Sequence, residues 1–409
     1  MRSIYDLSFG ELTEFITAVG EKSFRVSQIF SALHNGITTD EISNIPKSLK
    51  KILSENFNCN LPVVVECRQS KDGTKKYLLK YAQFAHDDFV ECVFLTQEYG
   101  NTICVSTQVG CRMGCTFCAS GKGGLVRNLT AGEILAEVIL INKLNAKNNE
   151  RGVTNIVLMG SGEPLDNFDN VMKFLELVTS ANGINISGRN ISLSTSGLVP
   201  QIKKFADCGG QVNLCISLHA PNDELRTQIM PIAKKYSVAE LIDAAKYFFE
   251  KTHRRVIFEY SLMCQNGAPF NCTVECAKEL AKLVRGFPAH INLINLNPLP
   301  VGQKTPPDRQ TPYTPPDSQT PYIPPDCQMP YTPPDSQTPP IPPDQQILTA
   351  INKSTKNIYT PPGREVAKKF MDTIIKSGIS CTMRKNRGDD IDGACGQLRL
   401  RYVDNPAPS

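Results

Sequence analysis

The sequence lacks a long apolar run, a secretion signal and a strong net charge. No apolar stretch approaches the roughly 18 residues that a membrane-spanning helix needs, so no membrane partner is expected. The first seven residues have neither the apolar segment nor the small-residue cleavage site of a signal peptide, which predicts a cytoplasmic protein. A net charge of +4 over 409 residues permits a nucleic-acid partner without requiring one.

Basic residues occur as adjacent pairs rather than as one basic segment. Each pair taken alone is interpreted as part of a solvated helix face, and only their sum on one side of a fold would indicate RNA. The pairs are Lys50-Lys51, Lys75-Lys76, Lys203-Lys204, Lys234-Lys235, Arg254-Arg255, Lys368-Lys369 and Arg384-Lys385.

The fifteen cysteines favour metal or reactive-thiol chemistry over disulfides, because their number is odd and no secretion signal is present. Cys111, Cys115 and Cys118 form a C-x3-C-x2-C loop directly after the apolar run 103–107. Three such thiolates hold three irons of a [4Fe–4S] cluster and leave the fourth iron open to a substrate or cofactor. Nine others are predicted to pack as small apolar side chains: Cys59, Cys67, Cys92, Cys208, Cys215, Cys264, Cys272, Cys276 and Cys381.

The alternative for this loop is a structural zinc site, completed by Cys104 or a distant histidine. Zinc sites more commonly consist of two C-x2-C knuckles, and the sequence has no second one. Two glycine-containing turns, 159–164 and 195–197, each follow a predicted strand and offer backbone donors and a carboxylate at the same end of the sheet. This combination favours the cluster.

Hydrophobic periodicity predicts an α/β fold with several parts. Six strands alternate with helices, which is typical of a parallel sheet; six repeats are too few for a complete barrel and predict a partial (βα)6 barrel. Two of the helices begin with capping boxes, at Thr130 with Glu133 and at Ser237 with Glu240. The predicted strands are 102–107, 154–159, 190–195, 212–218, 255–262 and 290–296.

The predicted organisation has five segments. A proline-rich nonapeptide repeat breaks the pattern and is expected to be extended and exposed. A helix near 364–377 and a strand near 379–384 follow it. The segments are a helical, RNA-binding accessory domain at 1–53, a β-rich connector at 54–98, the partial barrel at 99–300, the repeat at 301–346, and a C-terminal segment at 347–409.

The cysteine loop after a first strand, with Gly162-Glu163 after the second, resembles the radical S-adenosylmethionine (SAM) enzymes. The resemblance implies that the open iron binds SAM, and that the cluster, reduced by an electron donor, cleaves SAM to a 5′-deoxyadenosyl radical. A narrower resemblance is to the adenine-C2 RNA methyltransferases, which act on adenine-2503 of 23S ribosomal RNA and adenine-37 of transfer RNA. The segments that carry it are 109–121, 127–130, 217–222 and 387–397.

The narrower resemblance implies a role for each matching residue. Cys395 accepts a methyl group from a first SAM, and the radical from a second SAM activates that group for addition to adenine C2. Cys104 then resolves the enzyme–RNA adduct through a transient disulfide, and Glu91 is the proton acceptor. The matching SAM-binding positions are Gly162, Glu163, Ser194, Ser217, Leu218, His219 and Asn297.

The resemblance further implies a monomer with a small helical N-terminal domain and a C-terminal extension that carries the catalytic Cys395. Two features depart from the family pattern: Ser161 replaces a methionine, and the repeat lengthens the connection to Cys395. Loop closure costs only about 0.6 kcal/mol more for each doubling of length, so the repeat is compatible with folding. Two alternatives remain open, the related C8-methylating branch and a zinc-stabilised RNA-binding protein.

Overall fold

The computed structural model describes residues 1–81, 88–146, 151–297, 359–385, 387–388, 391 and 396–399. The chain divides into one unit of Met1–Thr311 with Tyr359–Ser409 and a second unit of Pro312–Ile358. The second unit and the predicted repeat at 301–346 lie outside the described residues. The architecture below is therefore that of the first unit.

A ten-stranded sheet forms the centre of this unit, and shorter strands lie beside it. The strands are β1 (Val63–Gln69), β2 (Lys75–Lys80), β3 (Phe89–Gln97), β4 (Gly100–Cys104), β5 (Gln108–Gly110), β6 (Leu125–Asn128), β7 (Asn155–Leu158), β8 (Ile191–Thr195), β9 (Asn213–Ser217), β10 (Val256–Leu262), β11 (Cys264–Gln265), β12 (Ala268–Pro269), β13 (Ala289–Asn295), β14 (Tyr359–Thr360) and β15 (Ser380–Met383). The order in the main sheet is β1-β2-β3-β4-β7-β8-β9-β10-β13-β15.

The strands from β4 onward in this order are parallel, and β1 to β4 pair antiparallel. All six predicted strands are present, as β4, β7, β8, β9, β10 and β13. The strand predicted near 379–384 is β15, which pairs parallel with β13 and extends the parallel series from six strands to seven. The predicted α/β fold with an N-terminal helical region is thus confirmed.

Helices connect the parallel strands and also build the N-terminal region. They are α1 (Phe9–Ala18), α2 (Phe24–His34), α3 (Lys47–Asn56), α4 (Ala131–Asn145), α5 (Phe168–Thr179), α6 (Val199–Asp207), α7 (Asp223–Ile229), α8 (Val238–Thr252), α9 (Val274–Leu283) and α10 (Arg364–Lys376). Both predicted capping boxes are formed, because Thr130 caps α4 with Glu133 and Ser237 caps α8 with Glu240. Among the described residues, no helix is long and apolar enough to cross a membrane.

The N-terminal region packs against the barrel through polar contacts. Asp6 Oδ1 accepts a hydrogen bond from Gly132 N at the start of α4, at 2.6 Å. His34, at the end of α2, accepts a hydrogen bond at Nδ1 from Ile184 N at 3.2 Å. Burial lowers the pKa of His34 to about 4, so the ring is neutral at pH 7.

The nine cysteines predicted to pack do so only in part. Cys92, Cys215, Cys272 and Cys276 are buried, and Cys59, Cys264 and Cys381 are partly buried. The prediction is wrong for Cys67 and Cys208, which are exposed. Cys67 lies on β1, at the edge of the sheet, where alternate side chains face solvent.

Candidate cluster and cofactor site

The three-cysteine loop begins where β5 ends, and its backbone is fixed at several points. Gly110 has φ +79°, and a Cβ there would collide with the carbonyl oxygen of Gly124. Cys111 N donates to that same oxygen at 2.9 Å. Further along, Thr116 N donates to the carbonyl oxygen of Ile229, the last residue of α7, at 3.0 Å. The loop is therefore held by the β5–β6 hairpin and by α7.

The thiols of this loop need a cation to be ionised together. Burial raises the pKa of Cys115 to about 12, and the neighbouring Cys118 adds to the effect. Burial also raises the pKa of Cys111 well above its ordinary value. In the part of the chain that the structure describes, no three His, Cys, Asp or Glu side chains lie close enough together to hold one metal ion. Three thiolates that each take a different iron of a cubane are a donor set that fits a [4Fe–4S] cluster.

The Gly162-Glu163 turn follows β7 and lies against the segment that leads into the cluster loop. Gly162 has φ +108°, and a Cβ there would be 2.7 Å from Gln108 Cβ and 2.8 Å from Thr107 Oγ1. Only glycine permits this approach. Gln108 Oε1 accepts a hydrogen bond from Glu163 N at 2.8 Å, which fixes the turn beside the loop.

The carboxylate of Glu163 joins the turns after β7 and β8. It is buried, and its oxygens accept hydrogen bonds from Leu165 N at 3.1 Å and Ser196 N at 2.6 Å. Burial raises the pKa of Glu163. Each carboxylate oxygen has a further lone pair, so Glu163 can still accept from an ammonium group.

An ion pair that the sequence interpretation missed ties the cluster loop to the same turn. Arg112 forms a bidentate pair with Asp166, with Nη2–Oδ1 at 2.5 Å and Nε–Oδ2 at 2.9 Å. Gln108 Nε2 also donates to Asp166 Oδ2, at 2.9 Å. Bidentate pairs fix geometry as well as charge, so Asp166 orients the loop around Cys111.

The Ser217-Leu218-His219 segment follows β9 and contacts the cluster loop through Phe117. His219 is buried, its ring packs edge-on against Phe117 with 5.0 Å between centroids, and burial lowers its pKa to about 3. Its Nδ1 accepts a hydrogen bond from Ser261 N at 3.0 Å, so the proton of the neutral ring is on Nε2. The segment is thereby held beside the three cysteines.

The other predicted SAM-binding residues lie at the same edge of the sheet. Ser194 is the second-last residue of β8, and Ser217 is the last residue of β9. Leu218 is fully buried, and its backbone N donates to Glu259 O at 3.1 Å. Asn297 is half-buried just beyond the end of β13. Because these strands are parallel, their carboxyl ends meet at one edge of the sheet, which is where the site was predicted from the sequence.

Arg226 of α7 is a second residue that the sequence interpretation missed. Its guanidinium is fully buried and donates to three backbone carbonyls of the turns after β8 and β9. Nε reaches Leu218 O at 3.0 Å, and Nη2 reaches Ser196 O at 2.5 Å and Ser217 O at 3.1 Å. No local motif marks such a residue, because its partners are 8 to 30 positions away in sequence.

Glu91, the predicted proton acceptor, is buried on β3 beside Lys76 of β2. Lys76 Nζ lies 2.9 Å from Glu91 Oε2, and both side chains are almost completely buried. The interpretation of Lys75-Lys76 as part of a solvated helix face is therefore wrong for Lys76. A lysine can be buried when a carboxylate pairs with its charge, and here Glu91 on the neighbouring strand β3 is that carboxylate.

The C-terminal segment docks onto Glu91 and onto the cluster loop. Glu91 accepts hydrogen bonds from Gly396 N at 2.7 Å and from Arg399 N at 2.5 Å. Gly396 has φ +80°, and a Cβ there would be 2.6 Å from Ser120 N, two residues after Cys118. Cys395 itself lies outside the described residues. Its neighbour Gly396 is nevertheless in contact with the residues that follow the last cluster cysteine.

Cys104 lies on the same face of the sheet as Glu91. It is buried at the end of β4, directly opposite Val93 of β3, and packs with Val93 and Leu95. Side chains alternate along a strand, so Glu91 and Val93 share this face. Glu91 is then the diagonal neighbour of Cys104, at about 7–8 Å by ordinary sheet geometry.

Comparison with known families agrees with this arrangement. The family model of the radical SAM superfamily matches residues 105–276, and the model of the ribosomal RNA large subunit methyltransferase N-terminal domain matches residues 3–59. A crystal structure of a radical SAM methyltransferase from Sphaerobacter thermophilus has a TM-score of 0.78 and 34% identity, and covers 97% of this chain and 99% of that chain. Fold and site therefore define a radical SAM enzyme, with a [4Fe–4S] cluster and SAM as cofactors.

Curated relatives named probable dual-specificity RNA methyltransferase RlmN align with nearly the whole chain. The Clostridium perfringens (strain 13 / Type A) protein is 42% identical over 98% of both chains. The Lachnospira eligens protein is 38% identical over 99% of this chain and 98% of its own. The chain belongs to this family of radical SAM dual-specificity RNA methyltransferases.

Proposed function

We propose that this enzyme methylates C2 of adenine in 23S ribosomal RNA, at adenine-2503, and in transfer RNA, at adenine-37. The observation that carries the proposal is the contact of Gly396 with Ala119 and Ser120. It supports a docked position of the Cys395 segment beside the cluster loop.

The cluster, when held by Cys111, Cys115 and Cys118, would supply a 5′-deoxyadenosyl radical from bound SAM. Residues of the chain hold the rest of the site. Glu163 and the turns after β8, β9 and β13 bind SAM through Ser194, Ser217, Leu218, His219 and Asn297. His219 is buried and its ring is neutral, so it adds no positive charge at this edge of the sheet.

Three residues handle the methyl group and the base. Cys395 accepts the methyl group as a thiolate nucleophile and carries it to the adenine. Glu91 accepts a proton during release, and Lys76 Nζ, 2.9 Å from Oε2, helps to hold its carboxylate in position. The Cys104 thiolate attacks the sulfur of Cys395, which forms a disulfide and breaks the bond from that sulfur to the methylene carbon attached to adenine C2. That carbon keeps the electron pair, takes a proton and becomes the methyl group of the released base. The role is supported by the shared face of Cys104 and Glu91.

We further propose that the enzyme acts in the cytoplasm as a monomer and receives its electrons from a separate donor. The domain boundaries at residues 53, 98, 300 and 346 remain predictions. The helical region at 1–53 is proposed to contact RNA, and its helix α3 presents Lys47 and Lys51 to solvent. Replacing both by Glu is expected to weaken RNA binding at low salt more than at high salt.

The resolving role of Cys104 gives the test of this proposal. A Cys104→Ala enzyme expressed with its cluster should retain covalently attached RNA, detected as nuclease-sensitive absorbance that survives denaturation. Cys92→Ala, another buried strand cysteine, is the matched control and should carry none. Adding Cys395→Ala to Cys104→Ala should remove the RNA. Cluster-loaded Cys104→Ala enzyme that is free of RNA would contradict the assignment.

A further inference from the structure

The guanidinium of Arg226 carries a buried positive charge that its hydrogen bonds do not neutralise. The three groups that accept from Nε and Nη2 are carbonyl oxygens, which carry no net charge. Nη1 is also buried and has no hydrogen-bond partner within the described ranges. A buried cation without an anion is costly, and burial lowers the pKa of Arg226 to about 10. An anionic group near Nη1 would offset this charge.

The cluster loop passes close to this charge. Thr116, which follows Cys115, is bonded through its backbone to Ile229, three residues after Arg226 on α7. From α7, Arg226 Nε donates to the carbonyl oxygen of Leu218 at 3.0 Å. The next residue, His219, packs its ring against Phe117 of the loop, with 5.0 Å between the ring centroids. The guanidinium thus lies between the cluster loop and the turn after β9.

The other arginine of this region does not compete for the role. Arg112 lies within the cluster loop, but its charge is matched by the bidentate pair with Asp166. Asp223, at the start of α7, raises the pKa of Arg226 through its charge. Its Oδ1 accepts a hydrogen bond from Val238 N at 2.7 Å.

We propose that Arg226 is the counter-cation of the [4Fe–4S] cluster at its Cys115 ligand, and that this charge raises the reduction potential of the cluster. The inference rests on the cluster that family membership assigns. Reduction adds one electron and moves no proton, so the cluster with its thiolates becomes more negative by one charge. A fixed positive charge in a water-poor site favours that more negative form. Arg226 acts here as a positioning and electrostatic residue.

A potential titration of the reconstituted, SAM-free enzyme tests the proposal. Arg226→Gln keeps N–H donors for the carbonyls and loses the charge, Arg226→Met loses both, and Arg226→Lys keeps the charge. Lys234→Met removes the same charge from an exposed position near the end of α7. Iron and sulfide content and the visible spectrum establish loading, and electron paramagnetic resonance measures the reduced fraction.

At a fixed solution potential, the ratio of reduced to oxidised cluster is expected to fall about tenfold in Arg226→Gln and Arg226→Met. Arg226→Lys should restore most of the reduced-to-oxidised ratio, and the ratio in Lys234→Met should match that of the unsubstituted enzyme. Neutral variants that fail to load while Arg226→Lys loads would also support a counter-cation.

An unchanged ratio in a loaded neutral variant would overturn the proposal, as would loss of the cluster in all three variants, Arg226→Lys included. A difference seen only after SAM is added would also overturn it, because the anion would then be the methionine carboxylate. Failure of the unsubstituted enzyme to load a cluster would instead count against the assigned cofactor, so the two failures are distinguishable.

Discussion

The buried pair of Lys76 and Glu91 permits a quantitative prediction about how the C-terminal segment is held. Lys76→Met keeps the length of the side chain and removes its charge, which leaves the Glu91 carboxylate buried without its partner at 2.9 Å. Removing one member of a buried pair costs about 3–5 kcal/mol. Glu91 keeps two backbone donors, Gly396 N and Arg399 N, so we expect the lower end, about 3 kcal/mol.

A double-mutant cycle separates the pair from its surroundings. In Glu91→Gln with Lys76→Met neither member of the pair is charged, so the combined loss should be smaller than the sum of the single losses by about 2 kcal/mol. The free energy of unfolding is measured by anaerobic urea titration of the cluster-loaded protein. Lys246→Met is the control, because it breaks an exposed pair with Asp243 and should cost less than about 1 kcal/mol.

Hydrogen exchange adds a local measurement to this cycle. Glu91→Gln and Lys76→Met should both speed exchange at the amides of Gly396 and Arg399, because these amides donate to Glu91. Amides of α10 that exchange by local opening should be unaffected. A Lys76→Met protein as stable as the unsubstituted one, or unchanged exchange at both amides, would refute the reasoning.

Three further predictions concern single residues. His34 is neutral in the folded protein at pH 7, because its pKa is lowered from 6.5 to about 4, so the free energy of unfolding should fall as the pH drops below about 6.5, by about 2 kcal/mol at pH 5. In urea titrations His34→Asn, which keeps an acceptor for Ile184 N, should lose this pH dependence, and an equal fall in both proteins would contradict the prediction. Gly162→Ala should lower the free energy of unfolding by at least about 2 kcal/mol more than Gly73→Ala, because both glycines have positive φ but, of the two, only Gly162 has atoms within 3 Å of an added Cβ. Equal losses in urea titrations would count against this prediction. Ser161 has a buried hydroxyl with no hydrogen-bond partner among the described residues, so Ser161→Ala should stabilise the folded protein by about 1 kcal/mol. A lower stability of this variant in thermal unfolding would show that the hydroxyl does have a hydrogen-bond partner.

Local patterns in the sequence predicted the strands, the caps and the edge where the site lies. The apolar runs that became β7 and β8 and the capping boxes at Thr130 and Ser237 depend on residues close in sequence. Such signals survive folding because hydrogen bonding and burial within one element decide them. The cysteine loop was recognisable for the same reason, since its three ligands lie within eight positions.

The contacts that complete the site could not be predicted in this way. Glu91 meets Gly396 across 305 positions of sequence, and Arg226 meets Ser196 across 30. Lys76 looks like any solvated lysine until the sheet places Glu91 beside it. Burial of these charges depends on the packing of distant elements, and a single sequence gives no local sign of that packing.

The central claim is the position that the enzyme methylates, and nucleoside mass spectrometry tests it most directly. The cluster-loaded enzyme is incubated anaerobically with SAM, a reductant and unmethylated 23S ribosomal RNA or transfer RNA, and the RNA is then digested to nucleosides. The account predicts 2-methyladenosine, which should be absent with Cys395→Ala. RNA without added methyl groups from an enzyme with an intact cluster, or 8-methyladenosine in place of 2-methyladenosine, would contradict the account.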